Sequence, residues 1–150
     1  MTDAAVRVHR LGPGDAEAWA TLRCELWPAR PRADFLHEAR VLATAEGHAG
    51  FVAILAGRGA VGICEVALRE HAEGCTTNPV AFLEGWYVRA DCRRLGMGRA
   101  LLTAAITWAR NRGCREFASD TALGDEPALL AHLARGFQEV ARVVCLRLPI

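Results

Sequence analysis

The run 93–100, Arg-Arg-Leu-Gly-Met-Gly-Arg-Ala, sets three arginines and two glycines against the start of an amphipathic segment. A strand that enters a glycine-containing turn and then a helix leaves several backbone N–H groups at the helix start without partners, and anions satisfy them. Gly96 and Gly98, flanking Met97, let the backbone adopt turn geometries and approach a bulky phosphate closely. Arg93, Arg94 and Arg99 add positive charge beside the positive end of the helix dipole. The chemistry this combination suits is pyrophosphate binding. The plainer alternative is a tight turn whose arginines are solvated. The spacing is neither a Walker loop, which needs Gly-Lys-Ser/Thr, nor a G-x-G-x-x-G dinucleotide fingerprint.

The surrounding pattern supplies the elements that would position this turn. Alternation over 4–11 predicts a strand, and a Gly-Pro-Gly-Asp turn follows it. Asp15 is a candidate cap for a helix with Ala18, Leu22, Cys24 and Leu26 near helical spacing, ended by Pro28. A second helix is predicted over 33–45, closed by Gly47. The period then changes: 50–57 and 60–70, separated by Arg58 and Gly59, read as a hairpin, and 80–90 reads as the strand that leads into the arginine turn. From 96 to 112, Gly98, Leu101, Leu102, Ala105, Ile106 and Ala109 form one apolar stripe that Gly113 stops. A short strand over 114–119, a short helix over 126–135 and a pair of strands, or one bent strand, over 136–150 complete a mixed α/β domain.

At 150 residues the chain has material for one core, and its 52% hydrophobic and 23% charged residues suit a globular enzyme or binding module. Eighteen basic and 17 acidic residues give a formal net charge of +1, so no overall field attracts nucleic acid or an anionic membrane. No apolar run approaches the roughly 20 residues that span a bilayer, and residues 1–12 lack the apolar stretch of a signal peptide. A cytoplasmic location is the default. Cys24, Cys64, Cys75, Cys92, Cys114 and Cys145 are scattered without paired short spacing, so they read as reduced, and no metal site is expected.

Arg93, Gly96 and Gly98 fall in register with the Arg/Gln-x-x-Gly-x-Gly/Ala signature, and the chain resembles the GNAT superfamily of acyl-CoA-dependent N-acetyltransferases over nearly its whole length. The resemblance implies a GNAT fold, a mixed central sheet flanked by helices, with acetyl-CoA as co-substrate. It also implies that the strand segment 84–88, with Trp86, Tyr87 and Val88, splays from the next strand and pairs with the pantetheine arm. The Val88 N–H would face the thioester oxygen. The segments Leu-Arg-Cys-Glu-Leu-Trp-Pro at 22–28, Phe-Val-Ala at 51–53, 80–88, 108–120 and 136–144 are similar, more narrowly, to aminoglycoside 6'-N-acetyltransferases, resistance enzymes that acetylate one drug amine.

A polycationic substrate needs carboxylates on a cleft. Glu84 on the strand beside the proposed thioester site and Asp120 at the end of the next strand can hold it from two adjacent strands. The alternative for each is a strand-end carboxylate paired with a nearby arginine. By resemblance, Trp27 stands where the family packs a tryptophan on a sugar, with an ordinary core or surface role as the alternative, and His71 stands where relatives often carry an aromatic loop residue. His132 takes the place of a tyrosine that protonates the departing CoA sulfur, and imidazole can donate near neutrality; a helix histidine satisfied by a carbonyl is the alternative. Two departures bear on drug spectrum: Asp125 where relatives tend to have asparagine near the cofactor, and Ala141 where they often carry an acid. The reading is direct attack without an acyl-enzyme, in a homodimer. Its rivals are an acetyltransferase for a polyamine or amino sugar and a non-catalytic CoA-binding module.

Overall fold

The apolar alternation of the amino-terminal half folds as an antiparallel sheet in a computed structural model that describes residues 6–150. Strands β1 (Val6–Arg10), β2 (His48–Leu55), β3 (Gly59–Arg69), β4 (Val80–Val88) and β5 (Phe117–Ser119) lie in that order. All neighbours are antiparallel except β4 and β5. A parallel pair needs a crossover, and helix α3 (Met97–Asn111) supplies it. Residues 4 and 5 of the predicted first strand lie outside the described residues.

Helices α1 (Ala16–Leu26) and α2 (Arg32–Leu42) cover one face, where Trp19, Leu22 and Ala39 pack with Val52 and Ile63. On the other face α3 buries Met97, Leu101, Leu102, Ala105, Trp108 and Ala109 against Phe51, Ala53, Val66 and Leu83. Helix α4 (Glu126–Leu133) follows β5, capped by the Asp125 carboxylate, which accepts from the Ala128 N–H at 3.1 Å. Asp15, read as a cap of α1, is itself helical in backbone and does not cap. Its carboxylate accepts from the Gly12 N–H at 2.8 Å and meets His9 at 3.0 Å.

Two irregularities shape the region after Leu83. Glu65 faces Gly85 and Val66 faces Leu83, so Glu84 is the extra residue of a bulge, which bends the strand and re-aims its side chains. The β4–β5 ladder stops at Leu83 and Ser119, so from Glu84 onward β4 has no neighbour on that side.

The predicted carboxyl-terminal strands are not formed. Residues 138–150 belong to no strand or helix and make no backbone–backbone hydrogen bond among the described residues, and Val144, Leu146 and Leu148 are more than four-fifths exposed at 84%, 91% and 83%. Apolar alternation states what a strand prefers, but a strand also needs an edge, and this chain brings none to it. Among the described residues no helix is long and apolar enough to cross a membrane.

Candidate active site

Where β4 parts from β5 its backbone is polarised toward the gap. Gly62 and Val88 are opposed, and the Arg89 N–H donates to Val61 C=O at 2.9 Å. In an antiparallel ladder this makes Gly62–Val88 a pair that does not bond to itself, so the N–H and C=O of Val88 point away from β3, and two residues back those of Trp86 do the same. The outward Val88 carbonyl accepts from Arg93 Nε at 3.0 Å, which ties the arginine turn to the open edge.

In that turn Arg94 has φ +63° and Gly96 φ +82°. A left-handed non-glycine residue marks strain that the surroundings hold in place. A Cβ on Gly96 would meet nothing within 4 Å, so its freedom serves the backbone path and the open space above it. The first bond into α3, from Ala100 N–H to Gly96 C=O at 3.0 Å, leaves the N–H groups of Met97, Gly98 and Arg99 without backbone acceptors. Arg93, Arg94 and Arg99 are exposed around them. Met97 contributes backbone only, since its side chain is in the core. The Trp86 indole donates to Gly98 C=O at 3.0 Å and locks the start of α3 to the open strand. The turn therefore fits an extended anion with an adjoining chain that pairs with β4. Tyr87 is turned the other way, with its hydroxyl donating to Glu25 on α1 at 2.9 Å, and Asp125 is engaged as the α4 cap. Cys92, next to the turn, is buried, and burial pushes its thiol up, which disfavours a thiolate nucleophile.

A cavity of about 650 Å³ is lined by His71, Asp120 and His132, and the His132 ring is what joins it to the open strand. Asp120 is exposed and makes no ion pair among the described residues. His132 projects from α4 with its ring edge toward Trp86, 5.5 Å between centroids. Its Nδ1 lies 2.7 Å from Ala128 C=O and must carry hydrogen, while Nε2 lies 2.9 Å from Ser119 Oγ. Neutral imidazole accepts there from the Ser119 hydroxyl. Once protonated it donates to Ser119, whose hydrogen can turn to Leu83 C=O at 3.4 Å. A carbonyl does satisfy one nitrogen, and the other joins a proton chain that ends on the last paired residue of β5. The Ser119 partnership was not visible in sequence, where the residue is one more strand position.

Trp27 and Glu84 line a separate concavity with Arg23, Arg30 and Glu65. Trp27 lies directly on β4: a Cβ on Gly85 would come within 2.9 Å of its ring, so only glycine admits it. Glu84 pairs with Arg69 at 2.9 Å, and Arg69, which also lines the larger cavity, stands between the two spaces. The large cavity carries further carboxylates that sequence reasoning passed over, Glu73, Glu126 and Glu139, against two arginines, Arg69 and Arg142. Their only signal was their place in loops and a helix start that the fold gathers.

A buried charge pair underlies Trp27. Arg23 is 8% exposed, sits between the Trp27 and Phe35 rings, and bonds Glu38 at 2.5 Å. Its Nε approaches Glu65 at 2.9 Å, off the donor axis, so this is a charge contact and not an aligned hydrogen bond. Burial pushes the Glu65 carboxyl up to about 7, outweighing the pull of Arg23. A carboxyl raised in the folded state contributes stability that is complete below its unfolded value and is lost as pH rises through the folded one. Glu65→Gln should therefore match the wild type below about pH 4.5 and exceed it by about 3 kcal/mol above pH 7. Thermal melts across this range check it; a constant difference between the two proteins would contradict it.

The profile of the acetyltransferase (GNAT) family matches residues 16–137. The chain belongs to the GNAT family. This GNAT chain is 42% identical to an aminoglycoside N(6')-acetyltransferase type 1 of Klebsiella aerogenes, covering 99% of both chains. It is 46% identical to one of Stenotrophomonas maltophilia, covering 100% of this chain and 97% of the other. Its fold superposes with TM-score 0.93 on AAC(6')-Iy in complex with the bisubstrate analog CoA-S-monomethyl-acetylneamine, at 32% identity over 98% of this chain and 100% of that one. With AAC(6')-Ih from Acinetobacter baumannii the TM-score is 0.91, at 33% identity over 97% and 99%. The mixed sheet flanked by helices is thus the GNAT fold that the resemblance implied.

Proposed function

We propose that this chain, acting as a single domain over 1–150, transfers acetyl from acetyl-CoA to the 6'-amino group of aminoglycosides and so confers resistance to them. The carrying observation is a polarised, unpaired strand edge next to the arginine–glycine turn, joined through His132, which packs on Trp86, to a cavity that carries several carboxylates. Bound acetyl-CoA supplies the thioester carbonyl. The N–H groups of Met97, Gly98 and Arg99, with Arg93, Arg94 and Gly96, hold the pyrophosphate. Trp86 and Val88 offer backbone groups to the pantetheine arm, and the Val88 N–H is placed to donate to the acyl oxygen. Asp125 acts from one step away, by fixing the start of α4.

The amine reaches the enzyme protonated and must lose a proton before direct attack. Asp120, free of arginine partners, holds the ammonium and accepts its proton directly or through water. His132, with Nδ1–H fixed on Ala128, acts as the imidazolium: its Nε2 proton goes to the leaving sulfur, the neutral ring then accepts from the Ser119 hydroxyl, and solvent reprotonates it. His71, Glu73 and Glu139 bound the space for the drug's other rings, and Trp27 with Glu84 forms a flatter shelf on the far side of Arg69. The setting is a cytoplasmic homodimer. Relatives carrying the 6'-transferase name at 42–46% identity over nearly full length support the acceptor assignment.

The acceptor position is tested with two aminoglycosides that differ only in a 6'-amine or a 6'-hydroxyl. The amine should turn over and the hydroxyl should lose at least about 100-fold in kcat/KM, because the alcohol is a far poorer nucleophile and cannot pair with Asp120. Equal turnover would move the acceptor elsewhere on the drug. Turnover of simple polyamines alone would replace the substrate class.

A further inference from the structure

Val88 turns both its N–H and its C=O away from β3, so its own backbone does nothing to hold it on the sheet. Its two neighbours hold it. Tyr87 and Ile63 are the bonded pair of the ladder, and the Arg89 N–H reaches Val61 C=O at 2.9 Å. The side chains of both neighbours leave the strand toward α1 and end on one carboxylate. Glu25, in the last turn of α1, accepts from the Tyr87 hydroxyl at 2.9 Å, from Arg89 Nε at 3.1 Å and from Arg89 Nη2 at 2.8 Å. Hydrogen bonds from Arg89 above all hold the Glu25 carboxyl below its usual range, so it stays an acceptor. On the opposite face the Trp86 indole bonds Gly98 C=O and Arg93 Nε bonds Val88 C=O, both at 3.0 Å. The end of β4 has lost β5 as a neighbour, and these contacts fix it from two sides instead. The Glu25 and Arg89 side chains are 33% and 30% exposed, and an ion pair this open adds little to stability. What three donors converging on one carboxylate do add is direction.

We propose that Glu25 is a positioning residue for acetyl transfer: by gripping the residues on either side of Val88 it aims the Val88 N–H at the acyl oxygen. This rests on the reading of that N–H as the donor to the thioester carbonyl. When the amine nitrogen bonds the carbonyl carbon, the C=O electron pair collects on oxygen, and it returns as the C–S bond breaks and the pair leaves on sulfur. A donor helps that step only if it already points where the charge appears, and a misaimed one must reorganise as the reaction proceeds. Tyr87 and Arg89 lie 62 and 64 positions beyond Glu25, so α1 and the end of β4 are tied across the fold at the donor itself. Trp27, two residues past Glu25, lies on Gly85 of the same strand. The grip and the tryptophan act on different things: Glu25 on the donor that meets the acyl group, Trp27 on the surface beside it.

Glu25→Ala should lower the single-turnover rate of acetyl transfer about tenfold, with the KM of acetyl-CoA and of the aminoglycoside each within about twofold. Its melting temperature should shift by no more than about 4 °C. Glu25→Gln keeps one acceptor oxygen and should lose only about threefold. The decisive measurement is a cycle with the backbone: the hydroxy-acid analogue of valine at position 88 turns the Tyr87–Val88 amide into an ester and removes that N–H. The ester enzyme should be slower by about 10²–10³-fold, the usual worth of such a donor. Glu25→Ala placed in it should cost less than about twofold more, because the group it aims is gone. Tyr87→Phe removes one hydroxyl and leaves α1 untouched, so it repeats the cycle independently of how Glu25→Ala folds, with a loss of about threefold in the amide enzyme and none in the ester. An ester enzyme as fast as the amide would overturn the donor reading and the positioning role with it. A slow ester beside Glu25→Ala and Tyr87→Phe at the wild-type rate would leave the donor standing and make Glu25 a surface ion pair. Equal losses in amide and ester, or a raised drug KM at an unchanged rate, would likewise overturn the role, the latter by showing that Glu25 acts through Trp27.

Discussion

Gly96→Asp should reduce acetyl-CoA affinity by at least about 100-fold while leaving the chain folded. The two halves of that expectation have separate origins. Nothing lies within 4 Å of the Cβ position, so no packing is disturbed, and the cost to the fold is that of a left-handed backbone at φ +82°. That cost is on the order of 1–2 kcal/mol for a non-glycine residue, and aspartate tolerates the conformation better than most. Binding suffers more, because the new carboxylate stands at the mouth of the turn, against the N–H groups of Met97, Gly98 and Arg99. It competes for the donors that an anion would use and repels the anion itself. Two like charges about 4 Å apart near a protein surface interact by about 4 kcal/mol, and salt removes part of that.

Calorimetric titration of acetyl-CoA into the variant, with circular dichroism to confirm the fold, measures the loss. Arg93→Ala should weaken binding by no more than about tenfold, since it removes one solvated charge and the tie to Val88 C=O while the backbone donors remain. A folded Gly96→Asp protein with wild-type affinity would show that the pyrophosphate sits elsewhere and that the turn is what its plainest reading makes it, a tight corner with solvated arginines.

Elements whose residues interact with near neighbours in sequence were legible. The α3 stripe, the hairpin of β2 and β3 and the strand into the arginine turn fall within a few residues of their predicted bounds, because period and glycine placement are local facts. The shape of the turn was legible for the same reason: its left-handed glycine and the free backbone donors after it are encoded where they stand. Long-range partners were not. Arg23 and Glu65 are 42 positions apart and each alone reads as a surface charge, yet the fold buries them to 8% and 6%. Glu84 was singled out, but its pairing with Arg69 depends on a bulge that only the β3–β4 register reveals. Ser119 gains its meaning from a helix that begins seven residues later and brings His132 to it. The carboxyl-terminal strands failed because alternation predicts a strand's faces without naming its neighbour.

Asp120→Asn and His132→Gln should separate along different kinetic axes. Asp120 follows β5, one residue beyond the last pair with β4, lines the cavity, and makes no ion pair with an arginine among the described residues. In the proposed mechanism its carboxylate is used twice, in holding the ammonium and in taking its proton, so the amide should raise the aminoglycoside KM and lower kcat together. His132 is less exposed than Asp120 and packs against Trp86 and Ser119, at the end of the cavity next to the open strand. Glutamine at 132 can still bond Ser119 but cannot deliver a proton. It should lower kcat by about 10²–10⁴-fold, the usual reach of a general acid, and leave calorimetric drug affinity within about twofold. The Ser119–His132 chain adds a further distinction. Ser119→Ala leaves the imidazole anchored through Nδ1 on Ala128 and removes only the hydroxyl that orients Nε2, so its kcat should fall between wild type and His132→Gln. Steady-state kinetics with a 6'-amino aminoglycoside, paired with calorimetry for each variant, read all three. If His132→Gln kept the wild-type kcat, the thiolate would leave unaided and the histidine would be a helix residue held by Ala128. If Asp120→Asn kept both parameters, the proton would go to another carboxylate of the cavity, with Glu73 and Glu139 the next to substitute.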